Sequence, residues 1–490
     1  MSAITIGLDI GTTGVKGVAL EIDRGLLAQA SRANRLASAQ PGWAEASTSQ
    51  WLENVLSILQ ELSAALGPDA PRVAAIATTG MVPAVVVVDR EGRALRPAIL
   101  QNDARASREV TEMADELATF DVLKLTGSPV TQQSVAPTAR WLQRVEPEIW
   151  ADAHALVGSY DWLLQALGAA PHLERNWALE SGLFTVAGER FEPAVAGADL
   201  EERLPPVVRS GEVVGSLTPG IAARCGLPAD VALVAGGADH VLSAYGAGLY
   251  DPGDWLIKLG GAGDVLAVSG SPVVDARFYL DEHPVEGLWL PNGCMATSGS
   301  LVRWVQGVLG EDDLLALDAA AAGRTAADVL CLPYFVGEKS PINDPDLRGM
   351  FAGLHLGHDR YDLYRSALEG IAFGFRHNAE VLRSAGLPLS RATVTNGGST
   401  SLFWKRIHAS VLGTPLRTVQ NHPGASLGAA VAAAIGVGRL QDWGEIGRFV
   451  IEGPTVDPES DLVERYSEAY GLWRDLSAHT AVTMRALARR

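Results

Sequence analysis

Residues 4–22 read ITIGLDIGTTGVKGVALEI, and this stretch decides the fold. Two apolar runs, at 4–10 and 15–22, flank the turn Gly11-Thr12-Thr13-Gly14. The pattern predicts a β-hairpin whose first strand carries an acidic residue, Asp9, just before the turn. Glycines in such a turn let the backbone approach a phosphate chain, and a carboxylate beside it can hold Mg²⁺. An ordinary hairpin turn with a solvated Asp9 is an equally good interpretation of this stretch alone.

A second stretch repeats this pattern in the later half of the chain. Residues 255–259, WLIKL, lead into the turn Gly260-Gly261-Ala262-Gly263 and a further apolar run at 265–269. Laid over the first hairpin, residues 259–263 fall on residues 10–14. This correspondence favours two related α/β domains, covering 1–245 and 246–490, while five aligned positions leave internal duplication undecided.

Two other glycine-rich junctions carry candidate chemistry. A buried-type strand at 231–235 ends in Gly236-Gly-Ala-Asp239, and an aspartate there can take a proton from an attacking hydroxyl. Capping of the following helix is the commoner role of such a residue. Asn396-Gly397-Gly398 follows a predicted strand at 393–396, and its glycine pair suits either a nucleotide base or a simple turn. Further helices are predicted at 51–66, 361–384, 403–412, 426–435 and 466–490.

The composition narrows the class of protein. The chain has 490 residues, of which 47% are hydrophobic, so it is long enough for two large domains. Its formal charge of −18 repels phosphate backbones and anionic bilayers, so neither nucleic acid nor a membrane is an expected partner. Three widely spaced cysteines, and no basic region before Asp9, predict a cytoplasmic protein.

One motif points to a different reaction. Gly424-Ala-Ser426-Leu-Gly428 matches the GxSxG elbow of serine hydrolases, which requires a preceding strand and a later acid and histidine. A loop-like segment precedes it, however, and the one histidine that follows is His479. A hydrolase is therefore a minor alternative. The sequence has neither a GxxxxGK[ST] P-loop nor a complete dinucleotide fingerprint.

Several blocks, in order and spacing, resemble the FGGY family of carbohydrate kinases nearly from end to end. The resemblance implies an α/β fold of two actin-like (ribonuclease H-like) ATPase domains flanking a cleft. It also implies transfer of the γ-phosphoryl group of ATP to a hydroxyl of a small sugar or polyol. The blocks are IGLDIGTTG (6–14), PGWAE (41–45), TGM (79–81), LQNDAR (100–105), GGAD (236–239), GEKSP (337–341), NGGSTSLFW (396–404) and SLGAA (426–430).

The resemblance also assigns roles to individual positions. Asp239 would be the catalytic base, and Asp9 would bind Mg²⁺. The first domain would bind mainly sugar and the second mainly ATP, with packing of the closing helix on the first domain as one option. The phosphates and adenosine of ATP would lie against Gly11, Thr12, Thr13, Gly260, Gly261, Gly397 and Gly398. The sugar would lie against Met81, Gln101, Asn102 and Asp239.

Within the family the xylulokinases are the most similar branch, so a ketopentose such as D-xylulose is the expected substrate. Four positions depart from the usual family residues: Val82, Gln101, Gly261 and Asn396. The first two lie on the sugar side, so glycerol, ribulose or gluconate kinases remain alternatives. A non-catalytic actin-like ATPase or sugar sensor is less favoured. The sequence leaves the oligomeric state open, with a homodimer as one option.

Overall fold

A computed structural model describes residues 3–38 and 40–489, and strands and helices alternate over most of this length. The strands are β1 (Ile4–Ile10), β2 (Gly14–Glu21), β3 (Gly25–Ala33), β4 (Leu36–Ala37), β5 (Glu45–Ala46), β6 (Val73–Gly80), β7 (Val86–Val88), β8 (Ala98–Ile99), β9 (Ala155–Val157), β10 (Leu173–Glu174), β11 (Val207–Val208), β12 (Val213–Ser216), β13 (Ala232–Ala238), β14 (Asp254–Leu259), β15 (Gly263–Ala267), β16 (Tyr279–Glu282), β17 (Trp289–Met295), β18 (Leu330–Leu332), β19 (Met350–Ala352), β20 (Arg391–Thr395), β21 (Leu416–Gln420) and β22 (Ile451–Glu452). The helices are α1 (Thr48–Leu66), α2 (Ser107–Glu116), α3 (Val122–Thr126), α4 (Val135–Val145), α5 (Pro147–Asp152), α6 (Ser159–Leu167), α7 (Arg175–Glu180), α8 (Glu192–Gly197), α9 (Pro219–Cys225), α10 (Asp239–Gly246), α11 (Gly299–Leu309), α12 (Leu314–Ala322), α13 (Arg360–Ser384), α14 (Leu402–Leu412), α15 (Ala425–Gly436) and α16 (Ser460–Ala488). Short 3-10 helices cover Gly67–Arg72, Gly397–Thr400 and Trp443–Arg448.

The first sheet has the strand order β12-β13-β6-β1-β2-β3. β1 and β2 pair antiparallel, which confirms the predicted hairpin, while β1, β6 and β13 run parallel to one another. These three parallel strands are almost wholly buried, as expected for strands covered by helices on both faces. Their carboxyl ends therefore lie at the same edge of the sheet.

The second sheet repeats this arrangement in the order β16-β17-β15-β14-β20-β21-β22. β14 and β15 form the second predicted hairpin, and β14 runs parallel to β20. The helix before this sheet, α10, ends at Gly246, and β14 begins at Asp254. The two mixed sheets with their covering helices confirm the predicted α/β class.

Helix α15 packs on the first sheet although it follows β21 of the second. Its small side chains let it lie against β1, where Gly7 has no room for a larger residue. A Cβ on Gly7 would lie 1.9 Å from the carbonyl oxygen of Ser426. Thr5 Oγ1 also donates a hydrogen bond to the carbonyl of Ala430, at 2.8 Å. The chain therefore returns to the part of the molecule that contains the first sheet, which we call the first half; the part that contains the second sheet is the second half.

The closing helix α16 packs within the second half, unlike the option considered for it from the sequence. Its bulky residues Tyr466 and Trp473 join the second core and contact Phe373. Trp473 Nε1 donates to the carbonyl of Cys331, at 2.8 Å. An aromatic face of this kind needs the deep core of the second half, whereas the small-residue face of α15 suits a flat sheet. The helix was predicted to reach Arg490, which lies outside the described residues.

Over residues 3–38 and 40–489, we find no helix that combines the length and the apolar character needed to cross a bilayer.

Candidate active site

Two carboxylates meet at the carboxyl edge of the first sheet. Ile10 of β1 and Ala238 of β13 both pair with Gly80, the last residue of the intervening strand β6. Asp9 precedes Ile10, and Asp239 follows Ala238, so the topology places the two acidic residues on either side of one strand. This edge is where open α/β sheets bind their ligands.

The matching edge of the second sheet brings the glycine pairs together. Lys258 of β14 pairs in register with Thr395 of the parallel strand β20. The loops that follow these two strands contain residues 260–261 and 397–398, so they lie side by side. All four predicted glycines, Gly260, Gly261, Gly397 and Gly398, line one cavity of about 340 Å³.

The same cavity has polar walls that the sequence did not indicate. Arg303 and Asp318, from α11 and α12, contribute to its lining together with Tyr364 of α13. Asp318 is held by two hydrogen bonds, since its Oδ1 accepts from the Tyr364 hydroxyl at 2.8 Å and its Oδ2 accepts from Ser401 Oγ at 2.6 Å. The helices thus supply fixed polar groups next to the glycine loops.

The backbone around Gly398 constrains two positions of its motif. Asn396 has a φ of 71° and a ψ of −177°, a backbone conformation that strongly favours glycine. This conformation agrees with the glycine that the FGGY pattern usually has at this position, and it leaves the asparagine without a structural explanation. A Cβ on Gly398 would lie only 2.2 Å from the ring of Trp404, so this position requires a residue without a side chain.

In each hairpin two carbonyls of the turn accept hydrogen bonds from a neighbouring segment of the chain. In the first hairpin, the side-chain Nδ2 of Asn34 donates to the Gly11 carbonyl (2.7 Å), and the backbone N–H of Asn34 donates to the Thr13 carbonyl (3.0 Å). In the second, the backbone N–H of Gly299 donates to the Gly260 carbonyl, and those of residues 298 and 300 donate to the Gly261 carbonyl. These hydrogen bonds to its carbonyl groups therefore fix the conformation of each turn.

Opposite charges from the two sheets face one another across the cleft. Burial by itself would raise the pKa of Asp239, but hydrogen bonding to His240 and the charge of Lys258 outweigh burial and lower that pKa. Lys258 also lies 3.3 Å from Asp264 of the neighbouring strand. Burial would lower the pKa of Lys258, yet the charges of Asp264, Asp239 and Asp9 raise it. Asp239 is thus an ionised carboxylate opposite a charged lysine.

Asp9 has a different environment from Asp239. Burial, and then the charge of Asp239, raise the pKa of Asp9 to about 7, against the smaller effects of Lys16 and Lys258. Its Oδ1 is buried and has no hydrogen-bond partner among the described residues. A buried, unpartnered carboxylate oxygen beside a phosphate-type loop fits a hard divalent cation such as Mg²⁺.

The predicted sugar-side residues are more scattered. Met81 directly follows β6 at the same sheet edge but is only 1% exposed, and its carbonyl accepts a hydrogen bond from Ser159 Oγ (3.0 Å). Gln101 has a buried Oε1 with no partner among the described residues, and Asn102 is exposed. Of the residues predicted to contact the phosphates, Thr12 is half-buried and Thr13 is exposed in the first turn.

A second cavity, of about 330 Å³, lies between the two halves, and apart from Ser340 in the 337–341 block its lining comes from segments that the sequence did not single out. Its first-half lining comes from residues 126–133 and from Glu180, and its second-half lining from residues 276–280, 340 and 343. Glu180 Oε1 lies 3.9 Å from His240 Nε2, and His240 Nδ1 lies 3.5 Å from Asp239 Oδ1. One side chain therefore separates the cavity lining from Asp239.

The hydrolase alternative does not match the geometry of Ser426. The serine is fully buried on α15 and its Oγ donates to the carbonyl of Pro423 at 3.1 Å. His479 lies on α16, where its Nδ1 contacts the carbonyl oxygen of Asp475. The GxSxG pattern arises because a tightly packed helix needs small residues.

Family models cover most of the chain. The N-terminal domain model of the FGGY family of carbohydrate kinases matches residues 4–246, and the C-terminal domain model of the same family matches residues 260–437. The chain belongs to the FGGY family of carbohydrate kinases. Kinases of this family use ATP, so the two facing sheet edges belong to an ATP-dependent sugar phosphotransferase.

Individual FGGY kinases are similar along their whole length. The crystal structure of xylulose kinase from Rhodospirillum rubrum is 39% identical, with a TM-score of 0.91 and coverage of 98% of this chain and 99% of that one. The xylulose kinase of Staphylococcus epidermidis is 27% identical over 484 residues, 97% of each chain. A gluconokinase of Bacillus subtilis is 22% identical over 504 residues, covering 97% of this chain and 96% of the relative.

Proposed function

We propose that this FGGY kinase phosphorylates a ketopentose, D-xylulose, with Asp239 as the base. The observation that carries the proposal is the position of an ionised Asp239 on one sheet edge, opposite Lys258 and the glycine loops of the other. The identity of 39% with the xylulose kinase of Rhodospirillum rubrum supports the choice of sugar.

The nucleotide is proposed to bind mainly to the second half. Adenosine would occupy the cavity between residues 397–398 and Arg303, where Asp318 supplies fixed acceptors. The triphosphate would extend past Gly260 and Gly261 towards the first hairpin. The Gly11 N–H donates to the Gly14 carbonyl, so the remaining N–H groups of the two turns would donate to phosphate oxygens. Gly261 lacks a hydroxyl to assist them, so the charge of Lys258 takes a larger share of this role.

Asp9 is the residue proposed to hold Mg²⁺. Its unpartnered Oδ1 would gain a ligand, and the positive charge would oppose the effects of burial and of Asp239 on its pKa. When bound, the ion supplies charge that offsets the negative charge on the phosphate oxygens.

The chemical step is an in-line displacement at the γ-phosphorus. The sugar hydroxyl gives its proton to the Asp239 carboxylate while its oxygen forms a bond to phosphorus, and the bond from phosphorus to the bridging oxygen of ADP breaks. Lys258 lies where it can neutralise charge on the transferred group. Positioning, electrostatics and one base are sufficient for such a reaction.

The acceptor is proposed to enter from the cavity of about 330 Å³ between the halves. This volume is in the usual range for small-molecule sites. Glu180 connects the cavity, through His240, to Asp239. Movement of the two halves towards each other would exclude water, which otherwise competes with the sugar as acceptor.

A coupled assay of ADP release tests the substrate. D-xylulose should stimulate ADP release most strongly in a panel with D-ribulose, gluconate and glycerol, and chelation of divalent ions should abolish the stimulation. A preference for gluconate would favour the alternative acceptor class, to which Val82 and Gln101 give some weight because they replace usual family residues. ADP release that no sugar stimulates would contradict the kinase assignment for this site.

We further infer that the enzyme works in the cytoplasm. Cys225, Cys294 and Cys331 are unpaired in the described part of the chain, as is usual in a reducing compartment. Fractionation of cells that express a tagged full-length chain would test this inference.

A further inference from the structure

His240 directly follows the proposed base, and its ring lies among carboxylates from both halves of the molecule. Its Nδ1 is 3.5 Å from Asp239 Oδ1, and its Nε2 is 2.8 Å from Asp281 Oδ2. Glu180 Oε1 is 3.9 Å from the same Nε2. The imidazole thus joins the base, on the first half, to Asp281 of β16 on the second.

The charges of this group favour an imidazolium. Burial would lower the pKa of His240, but the charge of Asp281 and hydrogen bonds to Asp239 and Asp281 raise it well above its usual value. Burial, and then the charge of Asp281, raise the pKa of Glu180 well above its usual value. A single cation is therefore shared between Asp239 and Asp281.

The position of Asp281 is fixed by contacts on both sides. Asn292 Nδ2 donates to Asp281 Oδ2 at 2.5 Å. The next residue, Glu282, is bound to the first half, because its backbone N–H donates to Asn176 Oδ1 (2.7 Å) and its carboxylate accepts from Arg175 Nε (2.6 Å). β16 is therefore attached to α7 at the point where it contacts His240.

We propose that His240 is a positioning residue that aims Asp239 and keeps it ionised, and that Asp281 of the second half holds His240 in this role. The proposal rests on the proposed function of Asp239 as the base. It means that the base is correctly set only when β16 is docked against α7. Packing of the two halves then controls the proton acceptor.

The effect on pH dependence has a definite sign. The titratable groups that act on Asp239 are His240, Lys258, Asp9 and Glu180. Removing the imidazolium removes one of two cations that lower the pKa of Asp239, so this pKa rises. Activity that requires the carboxylate is then lost at a higher pH during acidification.

The variants His240→Gln and Asp281→Asn test the proposal, with His283→Gln as the matched control. His283 is also buried and lies two residues after Asp281, but its Nε2 contacts the carbonyl of Leu249 instead of the base. We expect His240→Gln to lower kcat about ten- to a hundred-fold, the scale of a lost hydrogen bond to a charged group. The KM for ATP should change little.

The rate profile against pH distinguishes positioning from a purely structural role. The acid limb of kcat/KM should move up by about one pH unit or more in His240→Gln. Asp281→Asn, which keeps the shape of the side chain and provides a second variant if the first does not fold, leaves the imidazole in place and should lower kcat while the KM for ATP changes little. The limb should stay in place in His283→Gln.

An unmoved acid limb in His240→Gln together with an unchanged kcat in Asp281→Asn, with Asp239→Asn inactive, would overturn the role of His240 and leave the base assignment intact. Full turnover by Asp239→Asn would instead remove the base assignment itself, so the two failures can be told apart.

Discussion

Lys258 follows three apolar residues near the end of β14, and its ion-pair partner is Asp264 on the adjacent strand β15 (3.3 Å). The first hairpin has the reverse arrangement, since Asp9 of β1 pairs directly with Lys16 of β2. At the same position relative to the turn, one sheet thus carries a carboxylate and the other a cation. The reversal gives the cleft one wall suited to a metal ion and a base, and one suited to phosphate.

We expect Lys258→Met to lower kcat/KM for ATP about 10²–10³-fold, the usual effect of removing one group that stabilises developing charge. The loss should be large because Gly261 and Ala262 offer no side-chain donors that could replace it. Steady-state kinetics at saturating sugar would measure the effect. Lys124→Met, at an exposed position on α3, is the control and should leave the kinetics unaltered. Normal kinetics in Lys258→Met would place the lysine outside the reaction.

Among the secondary-structure elements, the turn after β20 makes the sharpest prediction. Gly398→Ala should weaken ATP binding about ten-fold or more, because relieving a clash of this kind with the Trp404 ring costs about 1–3 kcal/mol. Gly471→Ala, at an exposed position of α16, is the control, since a Cβ there would meet no atom within 4 Å. Titration of the tryptophan fluorescence with ATP would measure both affinities, as Trp404 lines the cavity. Equal affinities in the two variants would contradict the proposed nucleotide site.

The elements also show what local sequence patterns can predict. Both hairpins, the strand ending before Asp239 and the helix after residue 402 were predicted because each depends on apolar periodicity and a glycine turn nearby. Arg303 and Asp318 were missed because their roles depend on which faces of α11 and α12 turn towards the cleft. Only tertiary packing decides this. The role of Lys258 was also missed. Its signal in the sequence is a charged side chain inside the apolar run at 255–259.

At the scale of the whole molecule, the sequence did not predict how the halves are joined. Helical periodicity identified α15 and α16 but could not say which sheet each would cover. The contact of β16 with α7 involves Glu282 and Asn176, which are far apart in the chain and carry no recognisable pattern. The cavity between the halves has the same origin, because its two walls come from short segments that become neighbours only in the folded chain.

The most direct test separates the loss of catalysis from the loss of ATP binding. The proposed base lies on the first sheet, whereas the proposed nucleotide contacts lie mainly on the second. Asp239→Asn should therefore lower kcat for D-xylulose about 10²–10⁴-fold, the range for a positioned base, while calorimetry gives an unchanged Kd for ATP. Full turnover by the variant, or a loss of ATP binding as large as the loss of rate, would contradict the role of Asp239 across the cleft from the phosphates.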